Sequence, residues 1–176
     1  APTFRYIPDG YTFNMCGMSY FRKSSKDLFI SLGYVNSKLF RNLVPFINPT
    51  INLSNGDFAR IPNCSLENTE QIVEDNIHIS KLDWDTHETS WDFQENELIR
   101  LIKKHVLETG TGNSSIEAVM KEYQAEWEKK FKQLHANEEE LNRQFIEIYG
   151  LQDELTPDVP LDEVTILQKG EISIED

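Results

Sequence analysis

The sequence predicts an α+β chain that is predominantly helical, with a small N-terminal α/β segment followed by long amphipathic helices. Three observations carry this expectation. Short aromatic stretches, Phe4-Arg5-Tyr6-Ile7 and Tyr11-Thr12-Phe13-Asn14-Met15, flank Pro8-Asp9-Gly10, where Pro fixes φ and Gly accepts a positive one, so they read as a hairpin or two adjacent strands. Leu28, Leu32, Val35, Leu39 and Leu43 then recur at spacings of four, three, four and four, a helical stripe. Met120, Trp127, Leu134, Leu141 and Ile148 recur every seven residues, with Ile116, Tyr123, Phe131 and Phe145 between them, which gives one broad apolar helical face.

In chain order, Gly17 to Ser19 turns the backbone, Tyr20-Phe21 extends the sheet, and Ser24-Ser25 offers an N-cap with Asp27 in the first turn, so a helix follows. Gly33 or Asn36-Ser37 divides the apolar stripe into two helices, and Pro45 disfavours helical backbone at Val44, placing the end there. Asn48-Pro49-Thr50 and Ser54-Asn55-Gly56-Asp57 read as turns, Ile51-Asn52-Leu53 and Phe58-Ala59-Arg60-Ile61-Pro62 as extended pieces. Asn68 or Thr69 starts a helix carrying Ile72, Val73, Ile77 and Trp84 on one face. Asp85 to Glu95 lacks a helical period but contains Trp91 and Phe93, so it is expected to be irregular and pinned by aromatic burial. Leu98 to Val106 forms another helix, stopped by Thr109-Gly110-Thr111-Gly112-Asn113. The heptad region from Ser114 to Tyr149 would span about 54 Å as one helix, with a cap-like break available at Asn137 and a stop at Gly150. Thr156 to Pro160 is a linker, and Val164-Thr165-Ile166-Leu167 is a final strand or part of a disordered acidic tail.

Charge divides the chain. The formal net charge of −13 alone argues against phosphate binding. Yet residues 1–64 hold Arg5, Arg22, Lys23, Lys26, Lys38, Arg41 and Arg60 against Asp9, Asp27 and Asp57, a net +4, which leaves −17 on the other 112 residues. Two surfaces with different partners are expected from such an asymmetry. Arg5, Arg22, Lys23, Lys26, Lys38 and Arg41, interleaved with Tyr6, Tyr11, Tyr20 and Tyr34, are the candidate DNA-binding residues, because cations reach phosphates and polar aromatics reach base edges. No window approaches the roughly 20 apolar residues of a membrane span. Cys16 and Cys64 are too few for a disulfide scaffold, so a reducing cytoplasm is the expected compartment. The start at Ala1, without Met or a signal-peptide pattern, reads as a cut inside a longer chain.

No catalytic, cofactor or metal site is expected within the chain. Asn48-Pro49-Thr50-Ile51 lacks the second Pro and the aromatic of the Asn-Pro-Pro-aromatic loop that holds a flipped adenine, and it reads as a turn. Gly110 and Gly112 stand without the rest of a phosphate-cradling loop, which needs further glycines or a Gly-Lys-Ser/Thr. His78, His87, His105 and His135 have no pair at helical zinc spacing. Glu138-Glu139-Glu140 point in different directions from a helix and read as a solvated face.

Several stretches taken in order resemble the C-terminal part of the BREX-type (PglX-like) N6-adenine DNA methyltransferases of phage exclusion, and more distantly the fused type II restriction-modification enzymes. They are Arg5-Tyr6-Ile7-Pro8-Asp9-Gly10-Tyr11-Thr12-Phe13, Gly33-Tyr34-Val35-Asn36-Ser37-Lys38, Asn48-Pro49-Thr50-Ile51-Asn52 with Gly56-Asp57 and Pro62, Asp83-Trp84-Asp85 with Glu88-Thr89-Ser90-Trp91-Asp92-Phe93, and Asn137-Glu138-Glu139-Glu140-Leu141-Asn142 through Phe145 and Tyr149-Gly150-Leu151-Gln152-Asp153-Glu154-Leu155. The resemblance implies a parent enzyme that binds S-adenosylmethionine and methylates adenine in a short double-stranded DNA site, its catalytic loop lying upstream. It implies that residues 1–64 end a target-recognition domain and 65–155 form a helical spacer docking the upstream methyltransferase domain; residues 156–176 read from their own sequence as an acidic tail or short strand. An alternative from another class is an acidic helical module that docks another phage-defence protein without touching DNA.

Overall fold

A computed structural model describes residues 3–13, 19–50, 53–61, 66, 69–110, 115–168 and 171. Six α-helices follow in order: α1 Ser25–Asn36, α2 Lys38–Ile47, α3 Asn55–Arg60, α4 Thr69–Asp85, α5 Glu97–Thr109 and α6 Ile116–Ile148, then a single 3-10 turn, Leu161–Glu163. The chain forms two compact units, Ala1–Ile77 with Asn137–Val159, and His78–Ala136 with Pro160–Asp176.

The helical part of the expectation holds and the α/β part does not. Among the described residues there is no β-strand. Residues 4–7 and 11–13 run without regular structure, although Gly10 takes the positive φ of 94° that the turn reading requires. Asn14 and Met15 lie outside the described residues, as do Cys16, Gly17, Ile51, Asn52, Pro62, Cys64, Asn68 and Gly112. The expected extended piece at Phe58 is the helix α3, started by a reciprocal capping box: the Ser54 hydroxyl accepts from Asp57 N–H while the Asp57 carboxylate accepts from Ser54 N–H. That pair satisfies two otherwise orphaned donors. Val164 to Leu167 forms no strand either; Val164 and Ile166 are buried without one.

In the first unit, Tyr34, Val35, Leu39, Phe40, Val44, Val73, Leu141 and Phe145 make the core. Ser37 divides α1 from α2 with extended backbone, φ −70° and ψ 156°. Its hydroxyl donates to Tyr34 O at 2.6 Å and accepts from Phe40 N–H at 3.3 Å, so one side chain ends a helix and caps the next. Gly33 is buried inside α1 rather than dividing it, at the closest approach to Val73 of α4. Pro45 does not stop α2 at Val44; the helix runs to Ile47 and closes with Asn48 N–H on Val44 O. Pro45 forgoes only one helical bond near the end, while Val44, Leu43 and Ile47 pack on the core, and that packing outweighs the loss.

In the second unit, Ile79, Leu101, Val119, Met120, Trp127 and Leu134 are buried with Val164 and Ile166. Asn96 caps α5 and Gly110 ends it at φ 67°, the left-handed stop that Gly supplies. Helix α6 continues through Asn137 without a break, and its heptad residues Met120, Trp127, Leu134 and Leu141 are buried, whereas Ile148 is exposed. Residues 86–95 are irregular as expected, but aromatic burial pins them only in part: Phe93 is half-buried, whereas Trp91 is 92% exposed, and Trp84 at the end of α4 is 57% exposed. Polar bonds also hold this stretch. Lys81 Nζ lies 2.6 Å from both Asp85 and Asp92 carboxylates, Ser90 Oγ donates to Asp85 at 2.8 Å, and Asp92 N–H donates to Ser90 Oγ.

Candidate nucleic-acid interface

In chain order the six candidate cations flank α1: Arg22, Lys23 and Lys26 stand at its start, Lys38 and Arg41 follow it in α2, and Arg5 adjoins Phe4, which is fixed at its far end. Arg22, Lys23 and Lys26 gather at its N-terminal end and are exposed. That end carries the positive pole of the helix, which favours anions, and the Ser24 hydroxyl makes no capping bond there. Asp27 in the same turn opposes the cations. The Arg22 guanidinium stacks 5.0 Å over the Tyr20 ring, and Tyr20 packs 4.9 Å from Phe58 of α3. Phe58 also packs 6.1 Å from Phe4 and 6.3 Å from Phe40, and Arg60, two residues further along α3, is exposed. Its contribution to the basic count was the only sequence signal for it.

Arg5 and Lys38 lie around the other end of α1. Phe4 is fixed there by Asn36, whose Oδ1 accepts from Phe4 N–H at 3.1 Å and whose Nδ2 donates to Phe4 O at 3.2 Å. The Arg5 side chain is exposed and donates to Phe4 O. Lys38 is half-buried and already engaged: its backbone N–H donates to Asn142 Oδ1 at 2.8 Å, and its Nζ donates to Thr156 Oγ1 at 3.3 Å and Asp158 O at 3.5 Å. Lys38 thus stitches α2 to the segment after α6. Arg41, one turn on, is exposed. Of the interleaved tyrosines, Tyr6, Tyr11 and Tyr20 are exposed, but Tyr34 is in the core, its hydroxyl 3.3 Å from that of Tyr149. Burial keeps Tyr34 out of reach of a base.

The Asn48 amide is committed locally. Its Oδ1 accepts from Thr50 N–H at 2.8 Å and Thr50 Oγ1 at 2.6 Å, and its Nδ2 donates to Asp57 Oδ2 at 2.7 Å. This is an Asx turn tied to the cap of α3. The hydrogen bonds from the Ser54 hydroxyl, Ser54 N–H and Asn48 hold the Asp57 carboxyl below the ordinary carboxylate range.

No protein-family model matches the chain. Over 157 residues, 88% of the chain, it is 36% identical to the adenine-specific methyltransferase PglX of Lacticaseibacillus casei (strain Zhang), and over 97 residues, 54% of the chain, 36% identical to the adenine-specific methyltransferase BrxX of Escherichia coli O9:H4 (strain HS). The chain is homologous to one segment of the PglX and BrxX methyltransferases. It spans only 13% of the first relative's length and 8% of the second's.

Within this PglX-related segment, the described residues contain no group of three or more His, Cys, Asp or Glu side chains placed to hold a metal ion. His87 Nδ1 lies 2.9 Å from Asp83 O, and His105 Nε2 is hydrogen-bonded to the Glu122 carboxylate. No helix is long and apolar enough to cross a membrane. What the described residues of the basic first third offer chemically is positive charge on and around helices α1 to α3, with aromatic rings beside it.

Proposed function

We propose that this segment belongs to an S-adenosylmethionine-dependent, adenine-specific DNA methyltransferase of a phage-exclusion or restriction-modification system, acting in the cytoplasm. Residues 1–64 end its target-recognition domain, residues 65–155 form the helical spacer that docks the upstream catalytic domain, and 156–176 trail it. The observation that carries the reading is the 36% identity to PglX across 88% of the chain. The concentration of cations in the first 64 residues of an otherwise acidic chain supports a phosphate-facing role there. The exposed cations Arg22, Lys23, Lys26 and Arg41 are the principal contacts, with Arg5 and Arg60 beside them. Lys38 contributes through the fold as well as through charge.

Duplex binding by the full-length methyltransferase tests this across a salt series, comparing wild type with the Arg22→Ala, Lys23→Ala, Lys26→Ala, Arg41→Ala combination. Every phosphate that the protein no longer neutralises lowers the salt slope by about 0.9, so weaker binding with a shallower slope is expected. Unchanged affinity and slope in a folded variant would remove this segment from the DNA.

A further inference from the structure

We propose that Trp84 and Trp91 anchor a docking surface for a separate protein whose face is basic around an apolar cleft. The two rings are the most exposed tryptophans of the chain, at 57% and 92%, while Trp127 is buried. Exposure of this kind is unusual for so large an apolar side chain, and Trp is enriched among residues that dominate binding energy. The backbone segments that carry the two rings are tied through one side chain. Trp84 precedes Asp85, Trp91 precedes Asp92, and both aspartates meet the single Lys81 ammonium at 2.6 Å. Ser90 completes the frame by bonding to Asp85 and accepting from Asp92 N–H. The tryptophans are therefore presented on an ordered turn, which lowers the entropic cost of docking.

Charge selects the partner. Between Lys81 and Arg100 there is no Lys or Arg, but Asp83, Asp85, Glu88, Asp92, Glu95 and Glu97 all occur. Lys81, Arg100 and Lys103 offset three of these six charges through ion pairs. On the Trp84 side, its ring lies 6.2 Å from that of His87, which lines a depression of about 460 Å³ together with Asp83, Asp162 and Glu171. A phosphodiester is repelled by such a surface, whereas a basic protein face is steered towards it. Asp85, Ser90 and Asp92 are bonded within the chain, so the frame of the turn is complete without an occupant. That property fits a partner that binds and leaves better than a permanent, more apolar interface.

The surface is independent of the DNA reading of the first third. Its test uses the 176-residue chain and a fluorophore-labelled amphipathic peptide of Lys and Leu as the probe, followed by anisotropy. The Trp84→Ala/Trp91→Ala variant keeps the net charge, so attraction by charge alone is unaltered. Affinity at least tenfold weaker than wild type is expected, Trp91→Gln alone is expected to lose at least threefold, and Phe46→Ala, which removes an exposed ring of the first unit, is expected to leave affinity unchanged. Far-UV circular dichroism checks that the variants fold. Equal affinity in the tryptophan variants, or no binding by wild type, would overturn the proposal. So would a shift of the tryptophan emission by duplex DNA, which would make the surface a base-stacking platform instead.

Discussion

A methyl group added at Gly33 tests how closely α1 approaches α4. The Cβ of an alanine there would lie 2.8 Å from Val73 Cγ2, and 3.7 Å from Leu141 Cδ2 and Phe145 Cε2. The last two distances are ordinary contact, but the first is well inside the optimal carbon separation of roughly 3.5–4 Å. Val73 is buried in α4 and, being β-branched, has one strongly preferred helical rotamer. Relief therefore requires a shift of helix backbone or an unfavourable rotamer, and overpacking of this type costs about 1–3 kcal/mol. Replacing Gly by Ala inside a helix gains about 1 kcal/mol. The net expectation for Gly33→Ala is a loss of about 1 kcal/mol. In the Val73→Ala background the clash is gone and the new methyl partly fills the vacated space, so the same change becomes stabilising by about 1 kcal/mol. Urea unfolding of wild type, both single variants and the double variant, followed by far-UV circular dichroism, measures the coupling. A sign reversal worth about 2 kcal/mol is expected. Equal effects of Gly33→Ala in the two backgrounds would refute the close approach.

Asn36→Ala removes both backbone bonds to Phe4; amide hydrogen exchange at Phe4 should accelerate, and stability should fall by about 1–2 kcal/mol. Asn142→Ala strips the partner from Lys38 N–H and from Pro157 O, and urea unfolding should show a loss of about 2–3 kcal/mol. For Asp57 the folded value lies below its ordinary value of 3.8. Its contribution is therefore present above that value and lost as pH falls through the folded one; Asp57→Asn should flatten the acid limb of the stability profile. Unchanged acid unfolding would remove Asp57 from that role.

Helices α1, α2, α4, α5 and α6 were legible because each is written in local terms. The Leu28 to Leu43 stripe, the heptad from Met120 to Leu141, and the Gly110 and Gly150 stops require no knowledge of distant contacts. Boundaries failed where packing overrode propensity, as at Pro45, or where a cap was read as a turn, as at Ser54-Asn55-Gly56-Asp57, which opens α3. The candidate interface was legible as charge but not as geometry. Composition counted Lys38 equally with Lys26, and only the fold reveals that Lys38 is bound to Thr156 and Asp158. Tyr34 and Trp91 failed in opposite directions for one reason: an aromatic residue in an irregular or mixed pattern carries no sign of which face it takes. Tyr34 is buried against Phe40 and Phe145, whereas Trp91 is held outward by bonds between its polar neighbours.

The error about strands has a common physical source. A backbone that leaves a helix must still place its N–H and C=O groups, and the aromatic, β-prone composition of the first residues suggested a sheet as their destination. In this chain polar side chains serve instead. Asn36 pairs with both backbone groups of Phe4, as a neighbouring strand would. Asn142 takes Lys38 N–H and gives to Pro157 O, Glu139 accepts from Val159 N–H, and Asp83 accepts from Leu167 N–H. Each of these side chains sits on a helix, so the segments at Phe4, Pro157 to Val159 and Leu167 are docked one residue at a time against helical faces. The first N–H of α2, at Lys38, is met the same way, and no continuous ladder is needed. Such pins act singly, whereas ladder bonds reinforce one another. Single Asn or Asp substitutions should therefore release their own segment without unfolding the helices that carry them, which is the pattern of local opening that hydrogen exchange resolves.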